Sequence, residues 1–311
     1  MKSLVIGGAG FAGQYLIEEL LREGETVYAT KLPDETIDIC DVDVFDVDVR
    51  DYAEVFTLLD EVHPEHIYHL AAVSSAALSW KKPQMTMEVN VIGVINLLEA
   101  ILALELSPKV LLIGSSEEYG SPADSSVPLS EKISPQPTNI YAVSKVAQNM
   151  LGNIYRKAYD IDIISVRAFN HIGPRQSPNF VASDFCRQVA NIERGAEPVI
   201  SVGNLNAVRD FTDVRDVVRA YSAIMKKGIP GKTYNVGGGT VLSIAELLEK
   251  IISLSTATII SEMDKSRIRP IDTPKIMADI TELKKDTGWA PTYTIEQTLT
   301  DTRDYWRSMN V

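Results

Sequence analysis

The feature that most constrains this chain is its start. Leu4-Val5-Ile6 runs directly into Gly7-Gly8-Ala9-Gly10-Phe11-Ala12-Gly13. The three apolar residues read as a short buried strand. Helically spaced Tyr15, Leu16, Leu20 and Leu21 follow, closing at Gly24, and Thr26-Val27-Tyr28-Ala29-Thr30 forms a second strand. Strand, Gly-x-x-Gly-x-x-Gly turn, helix and strand make the unit that binds a dinucleotide. The glycines let the backbone approach a pyrophosphate, which rests on the helix N-terminus. Gly7, Gly10, Phe11, Ala12 and Gly13 are therefore expected to contact NADP(H) or NAD(H).

At the end of the second strand stands Lys31, where NAD-preferring sites usually place an acid for the ribose 2′-hydroxyl. A cation there suits a 2′-phosphate and favours NADP. Strand and helix then keep alternating. Asp41 to Phe45 has strand periodicity, Asp48-Val49-Arg50-Asp51 leads into a helix to about Val62, and His66 to Ala72 is a strand and its exit. A long apolar helix is expected over Pro83–Leu106 and a strand over Lys109–Gly114. A loop rich in proline (Pro122, Pro128, Pro135, Pro137) follows, then a helix from Asn139 and the strand Ile161–Val166. That rhythm specifies an α/β fold, a Rossmann-like doubly wound parallel sheet. Past Arg167 it breaks. Ala168–Arg175 reads as loop, Phe180–Arg194 as helix, Val199–Arg209 as irregular, Asp213–Lys226 as helix and Thr233–Val236 as strand. We expect a nucleotide-binding domain over 1–169, rejoined by about 210–236, and a smaller discontinuous substrate lobe from 170–209 and 237–311.

Composition narrows the partners. The 311 residues carry a formal charge of -12, so no basic face for nucleic acid is expected. Cys40 and Cys186 show no pairing pattern, which suits a reducing, cytoplasmic compartment. The N-terminus has no signal-peptide layout. The apolar run Val89–Leu106 is interrupted by Asn90, Asn96, Glu99 and Glu105 and reads as a buried helix, with no membrane partner expected. His63, His66 and His69 recur every third residue without carboxylate or cysteine companions, so no metal site is expected.

Chemistry enters with Asn139-Ile140-Tyr141-Ala142-Val143-Ser144-Lys145. On a helix Tyr141 and Lys145 share a face. An ammonium one turn away would lower the phenol's ordinary pKa of about 10. Such a group could exchange a proton during carbonyl–alcohol interconversion. Ser115-Ser116-Glu117-Glu118-Tyr119-Gly120 lies at the carboxyl end of a strand, where open parallel sheets bind ligands.

Taken together, the glycine turn, Leu70-Ala71-Ala72, Asn90-Val91-Ile92-Gly93, Ser115 ahead of Tyr119-Gly120, and Tyr141-x-x-x-Lys145 resemble the extended short-chain dehydrogenase/reductases, in their nucleotide-sugar branch. Thr287-Gly288-Trp289-Ala290-Pro291 is similar to that branch's C-terminal signature. The resemblance implies Tyr141 as proton donor, Lys145 as its partner and a ligand of the nicotinamide ribose, and Ser115 as a hydrogen-bond donor to the reacting oxygen. It places Asp48 and Val49 at the adenine, and Leu70, Ala71, Ala72, Asn90 and His171 along the cofactor.

Phe169-Asn170-His171-Ile172-Gly173-Pro174-Arg175 and Val202-Gly203-Asn204-Leu205 through Arg209-Asp210-Phe211 resemble the members acting on GDP-mannose derivatives. These imply a GDP-sugar substrate, with Ser115, Ser116, Asn170, Arg175, Asn179, Arg209 and Arg269 as candidate contacts. An arginine fork suits a diphosphate. The nearest subgroup reduces the C4 ketone of GDP-4-dehydro-6-deoxy-mannose, and the competitor is GDP-mannose 4,6-dehydratase, in which the residue matching Glu117 is the base at C5. Lys31 lacks the basic–serine run of the dehydratase cofactor loop, and Glu88-Val89-Asn90-Val91 follows the reductase pattern. A non-catalytic nucleotide sensor is a third class, opposed by the intact Ser115, Tyr141 and Lys145. The resemblance also implies a homodimer through helices 83–106 and 139–159.

Overall fold

A computed structural model describes residues 1–121, 127–267 and 273–309. Pro122 and Arg269 lie outside the described residues. The first half is built from β1 (Lys2–Ile6), α1 (Phe11–Arg22), β2 (Thr26–Lys31), β3 (Val42–Asp46), α2 (Tyr52–Val62) and β4 (His66–His69). Then come α3 (Ala76–Lys81), α4 (Pro83–Met87), a π-helical turn Glu88–Ile92, α5 (Gly93–Ala103) and β5 (Lys109–Ser115). The 3-10 turn Ser116–Tyr119, α6 (Ile140–Tyr159) and β6 (Ile163–Ala168) complete it. The second half adds β7 (Asn170–Ile172), α7 (Val181–Glu193), β8 (Val199–Val202), β9 (Val208–Asp213), α8 (Val214–Lys227) and β10 (Thr233–Val236). The chain continues through β11 (Thr240–Ser243), α9 (Ile244–Ser253), β12 (Ile260–Met263), α10 (Thr281–Thr287) and α11 (Ile295–Ser308).

Seven parallel strands form the main sheet in the order β10-β6-β5-β4-β1-β2-β3. The chain runs from β1 outward to β3 and then resumes at β4 on the other side. The carboxyl ends of β1 and β4 are thus the switch point at which such sheets open a ligand crevice. Apolar strands bury both faces, as a parallel sheet requires. Leu16, Leu20, Val217 and Tyr221 from α1 and α8 fill one face, and Leu58, Leu59, Leu97 and Ile101 from α2 and α5 the other. The stretch 83–103 is long and apolar enough to cross a membrane. Its Asn90, Val94, Leu98 and Ile101 are nevertheless buried within the protein, as expected of a core helix.

Four expectations need correction. Asn170–Ile172, expected as loop, is β7, and the stretch expected to be irregular holds β8 and the start of β9. Their partners are remote in sequence: β7 and β11 flank β9, and β12 pairs with β8. The helix expected over 83–106 is continuous in path but relaxes into a π-turn at Glu88–Ile92, ahead of Gly93. The second lobe is also more interwoven than the expected 237–311 segment. Ile280, Leu283 and Trp289 pack into the α1–α8 core, while β9 lies in the separate three-stranded sheet. Phe185, Leu247, Leu299 and Trp306 form the second lobe's own core.

Candidate active site

The glycine turn fits a dinucleotide. Gly7 has φ +86, and a Cβ there would stand 2.6 Å from the Ala71 backbone nitrogen. A Cβ on Gly13 would lie 2.4 Å from the Gly7 carbonyl, so glycine is needed for α1 to close on the turn. Gly10 begins α1 with no side-chain cap and no acid in the first turn. That leaves the positive end of the helix suited to a pyrophosphate. Phe11 stacks on His171 at 5.8 Å and 10°, bringing His171 to the mouth of the turn. Burial pushes the His171 pKa down, so its ring is neutral near pH 7.

The other expected cofactor residues surround this cradle. Leu70 and Ala71 donate backbone N–H groups to Ile6, which fixes the β4 exit against β1. Asn90 is buried and braces Val73, the residue after Ala72: its Oδ1 accepts the Val73 N–H at 2.8 Å, and its amide donates to Ser144 Oγ at 2.8 Å. Asn90 thus ties the β4 exit to α6, and the π-turn carries it there. Asp48 is clasped by Arg50, whose Nε stands 3.0 Å from either carboxylate oxygen, and this holds its carboxyl below the usual range. Val49 is buried, and its carbonyl accepts from Asn96 at 2.9 Å. Lys31 pairs with Asp46 at 2.5 Å across the β2–β3 register. Its charge is therefore partly spent before any 2′-phosphate arrives, contrary to the simple expectation from Lys31 alone.

Asn139 caps α6 by accepting the Ala142 N–H at 2.8 Å. This starts the helix one residue before Tyr141 and aims its first turn at the β5 end. The Ser115 side chain is near enough to the Tyr141 hydroxyl to favour its phenolate form, while the Ser115 Oγ accepts the Glu117 N–H at 3.1 Å. Lys145 is buried, and its ammonium donates to the Ile113 carbonyl at 2.7 Å and to Gln148 Oε1 at 3.0 Å. The expected lowering of the Tyr141 pKa is not what results. Burial pushes that pKa up, the Ser115 side chain opposes the rise, and the charges of Glu117 and Glu118 add to it. Burial lowers Lys145 to about 8, with Glu118 acting against the fall. The physical reason is that the ammonium points into the sheet end, not at the phenol. Tyr141 is consequently a protonated phenol at neutral pH.

Beside this pair opens a cavity of about 520 Å³, bordered by Trp80, Glu117, Asn139, Asn179, Phe185 and Arg209. That size lies within the range of small-ligand sites. Glu117 accepts from Asn139 Nδ2 at 3.0 Å. Arg209 is buried and donates to the carbonyls of Val208 and Thr273 at 2.9 and 2.8 Å. Ser115 and Ser116 are both buried and are not among the described residues lining the cavity. Asn170 lies on β7 and is not among the described residues lining the cavity. Arg175, expected at the substrate, instead bonds Glu18 on α1 at 2.8 and 3.1 Å and covers the Tyr15 ring at 3.9 Å. Arg269 lies outside the described residues.

Sequence reading missed five participants. Asn139 was detectable, since asparagine immediately before a helical run is a cap signal. Glu118, Ser144 and the Asp184–Arg267 pair at 2.6 Å on the cavity wall carry no local pattern that marks them.

Comparison with known proteins agrees with this geometry. Residues 4–302 match the family model described as GDP-mannose 4,6 dehydratase. A GDP-6-deoxy-D-mannose reductase of Pseudomonas aeruginosa is 33% identical over 246 residues, 79% of this chain and 81% of that protein. A GDP-mannose 4,6-dehydratase of Vibrio cholerae is 28% identical, covering 96% of this chain and 91% of its own. Among solved structures, RMD from Pseudomonas aeruginosa complexed with NADPH superposes with a TM-score of 0.88 at 29% identity, over 99% of both chains. The UDP-glucose 4-epimerase of Thermus thermophilus complexed with NAD gives 0.90 at 28%, again over 99% of both. The chain belongs to the GDP-mannose 4,6 dehydratase family of NAD(P)-dependent extended short-chain dehydrogenase/reductases.

Proposed function

We propose that this protein reduces the C4 ketone of GDP-4-dehydro-6-deoxy-D-mannose to GDP-6-deoxy-D-mannose, the D-rhamnose nucleotide. The observation that carries the reading is Tyr141, a phenol kept protonated by desolvation and set near Ser115, two residues along α6 from Asn139 on the cavity wall. Similarity to a reductase supports the direction of the reaction. Bound NAD(P)H supplies the hydride. The chain's own residues do the rest. Tyr141 donates its proton to the C4 oxygen as negative charge develops there, and Ser115 hydrogen-bonds the same oxygen. Lys145 keeps a positive charge beneath the site, held by the Ile113 carbonyl and Gln148. Arg209 and Asn179 border the cavity and are the candidates to hold the diphosphate and sugar, with Arg269 a further candidate by sequence.

A second reading rests on Glu117, which reaches the cavity wall and is held there by Asn139. A carboxylate so placed suits the C5 base of a GDP-mannose 4,6-dehydratase. Incubation with GDP-mannose alone separates the two. The reductase leaves it unchanged, whereas release of a 4-keto-6-deoxy sugar without added NAD(P)H establishes the dehydratase.

The protein is also proposed to be a homodimer. Val143, Met150 and Ile154 line one exposed stripe of α6, and Ile92 is exposed on the neighbouring π-turn. A monomeric mass in light scattering at micromolar concentration contradicts this.

A further inference from the structure

Behind the proposed hydride-transfer site lies a charged cluster that the reaction scheme does not use. Glu118 is fully buried. One of its oxygens accepts the Ser115 backbone N–H at 2.9 Å, and the Asn149 amide donates to both oxygens at 2.8 and 2.9 Å. Arg167 Nε, from β6, completes the set at 3.1 Å, and its guanidinium lies 4.5 Å from the Tyr119 ring centroid. The site is shaped for this carboxylate: a Cβ on Gly114 would fall 2.3 Å from Glu118 Oε1. A buried ion pair rarely stabilises a fold better than apolar residues of the same size, so its presence asks for another reason.

We propose that Glu118 is a positioning residue of the active site, whose buried carboxylate fixes the Ser115 backbone and supplies the negative charge facing the Lys145 ammonium. Two observations converge on this. The capping box of the 3-10 turn links Glu118 to Ser115 reciprocally, so this carboxylate sets the backbone that carries the Ser115 hydroxyl. The groups around Lys145 are Tyr141 and Gln148 on its own helix, the Ile113 carbonyl on β5, His69 on β4 and Glu118 on the 3-10 turn. Of these, Glu118 is the one whose charge opposes the effect of burying the lysine. Burial raises the Glu118 pKa, and the Arg167 guanidinium opposes that rise.

The inference rests on the assignment of Ser115, Tyr141 and Lys145 above, and two variants of the full chain test it. Glu118→Gln keeps an acceptor for Ser115 and removes the charge. The double variant Glu118→Met/Arg167→Met removes the ion pair together and leaves no unpaired charge buried. Turnover is followed from pH 6 to 10 on whichever GDP-sugar the wild type uses, so a wrong substrate assignment shows in the wild type itself. NADPH affinity and a carbon NMR titration of the Lys145 side chain serve as substrate-free readouts. In both variants the Lys145 titration and the alkaline limb of kcat should move down by roughly one pH unit, with NADPH affinity within about threefold of wild type. The double variant should also lose about tenfold or more in kcat at its optimum, because Ser115 loses its anchor. A folded double variant with the wild-type alkaline limb, Lys145 titration and kcat overturns the proposal. So does failure of both variants to fold, which would make the carboxylate a support of the fold alone.

Discussion

Burial acts in opposite senses on Tyr141 and Lys145, and their division of labour follows from it. The phenol is pushed up and holds its proton, while the ammonium is pushed down to about 8, within reach of ordinary pH. Tyr141→Phe removes the proton and leaves the ring, so kcat should fall roughly 10²- to 10⁴-fold while NADPH affinity measured by fluorescence changes little. At the far end of the cofactor cradle, Lys31 is matched by Asp46 at 2.5 Å. Asp46→Asn should release that charge and raise NADPH affinity relative to NADH by about three- to tenfold, read by fluorescence titration of both cofactors; an unchanged ratio means that Lys31 does not face the 2′-position. The Tyr141–Lys145 spacing was legible in the sequence because a helix converts four residues of separation into one face. The partners that set their charges were not. Glu118 and Arg167 are 49 positions apart, and Lys31 and Asp46 meet through strand register, which no local window records.

At the scale of elements, α6 is aimed by its cap. Asn139 accepts the Ala142 N–H and donates to Glu117, so one side chain both starts the helix and holds a carboxylate at the cavity. Asn139→Ala should cost about 1 kcal/mol of stability from the lost cap and loosen Glu117. Asn139→Asp keeps the cap but sets two carboxylates together. Urea unfolding checks the pair: the aspartate variant should stay within a few tenths of a kcal/mol of wild type at neutral pH only if the cap outweighs that repulsion, and the alanine variant should fall below wild type. The strand–glycine turn–helix at the N-terminus was readable because every part of it is contiguous. β7, β8 and β9 were not, since each is short and stabilised by a partner brought in from far along the chain. The π-turn at Glu88–Ile92 lay hidden inside an apparently uniform helical pattern, although it carries the asparagine that joins the β4 exit to α6.

Across the whole molecule, two cores meet at a cavity whose walls come from both. The nucleotide side supplies Glu117 and Asn139, and the second lobe supplies Asn179, Phe185 and Arg209. The main sheet also buries ionisable groups. His69 is fully buried, and its pKa is driven down to about 3, first by desolvation and then by the charge of Lys145. Because the folded value lies below the ordinary one, the unfolded chain binds the proton first on acidification. Stability is therefore fully present above about pH 6.5 and declines toward pH 3, by up to ~1.4 kcal/mol per pH unit from this residue. Urea midpoints between pH 7 and 5 should show the decline, and His69→Leu should flatten it; an equal slope in the variant assigns the acid sensitivity elsewhere.

The central claim is that a protonated Tyr141 completes reduction of a C4 ketone on a GDP-sugar. Its most direct test is isotopic. Purified protein is given GDP-4-dehydro-6-deoxy-D-mannose with NADPH deuterated at the transferable position, and the product is examined by NMR. The account predicts a 6-deoxy sugar nucleotide carrying one deuterium at C4, formed in step with the NADPH consumed and lost in Tyr141→Phe. Recovery of the unreduced ketone, or a product with no deuterium at C4, would contradict it.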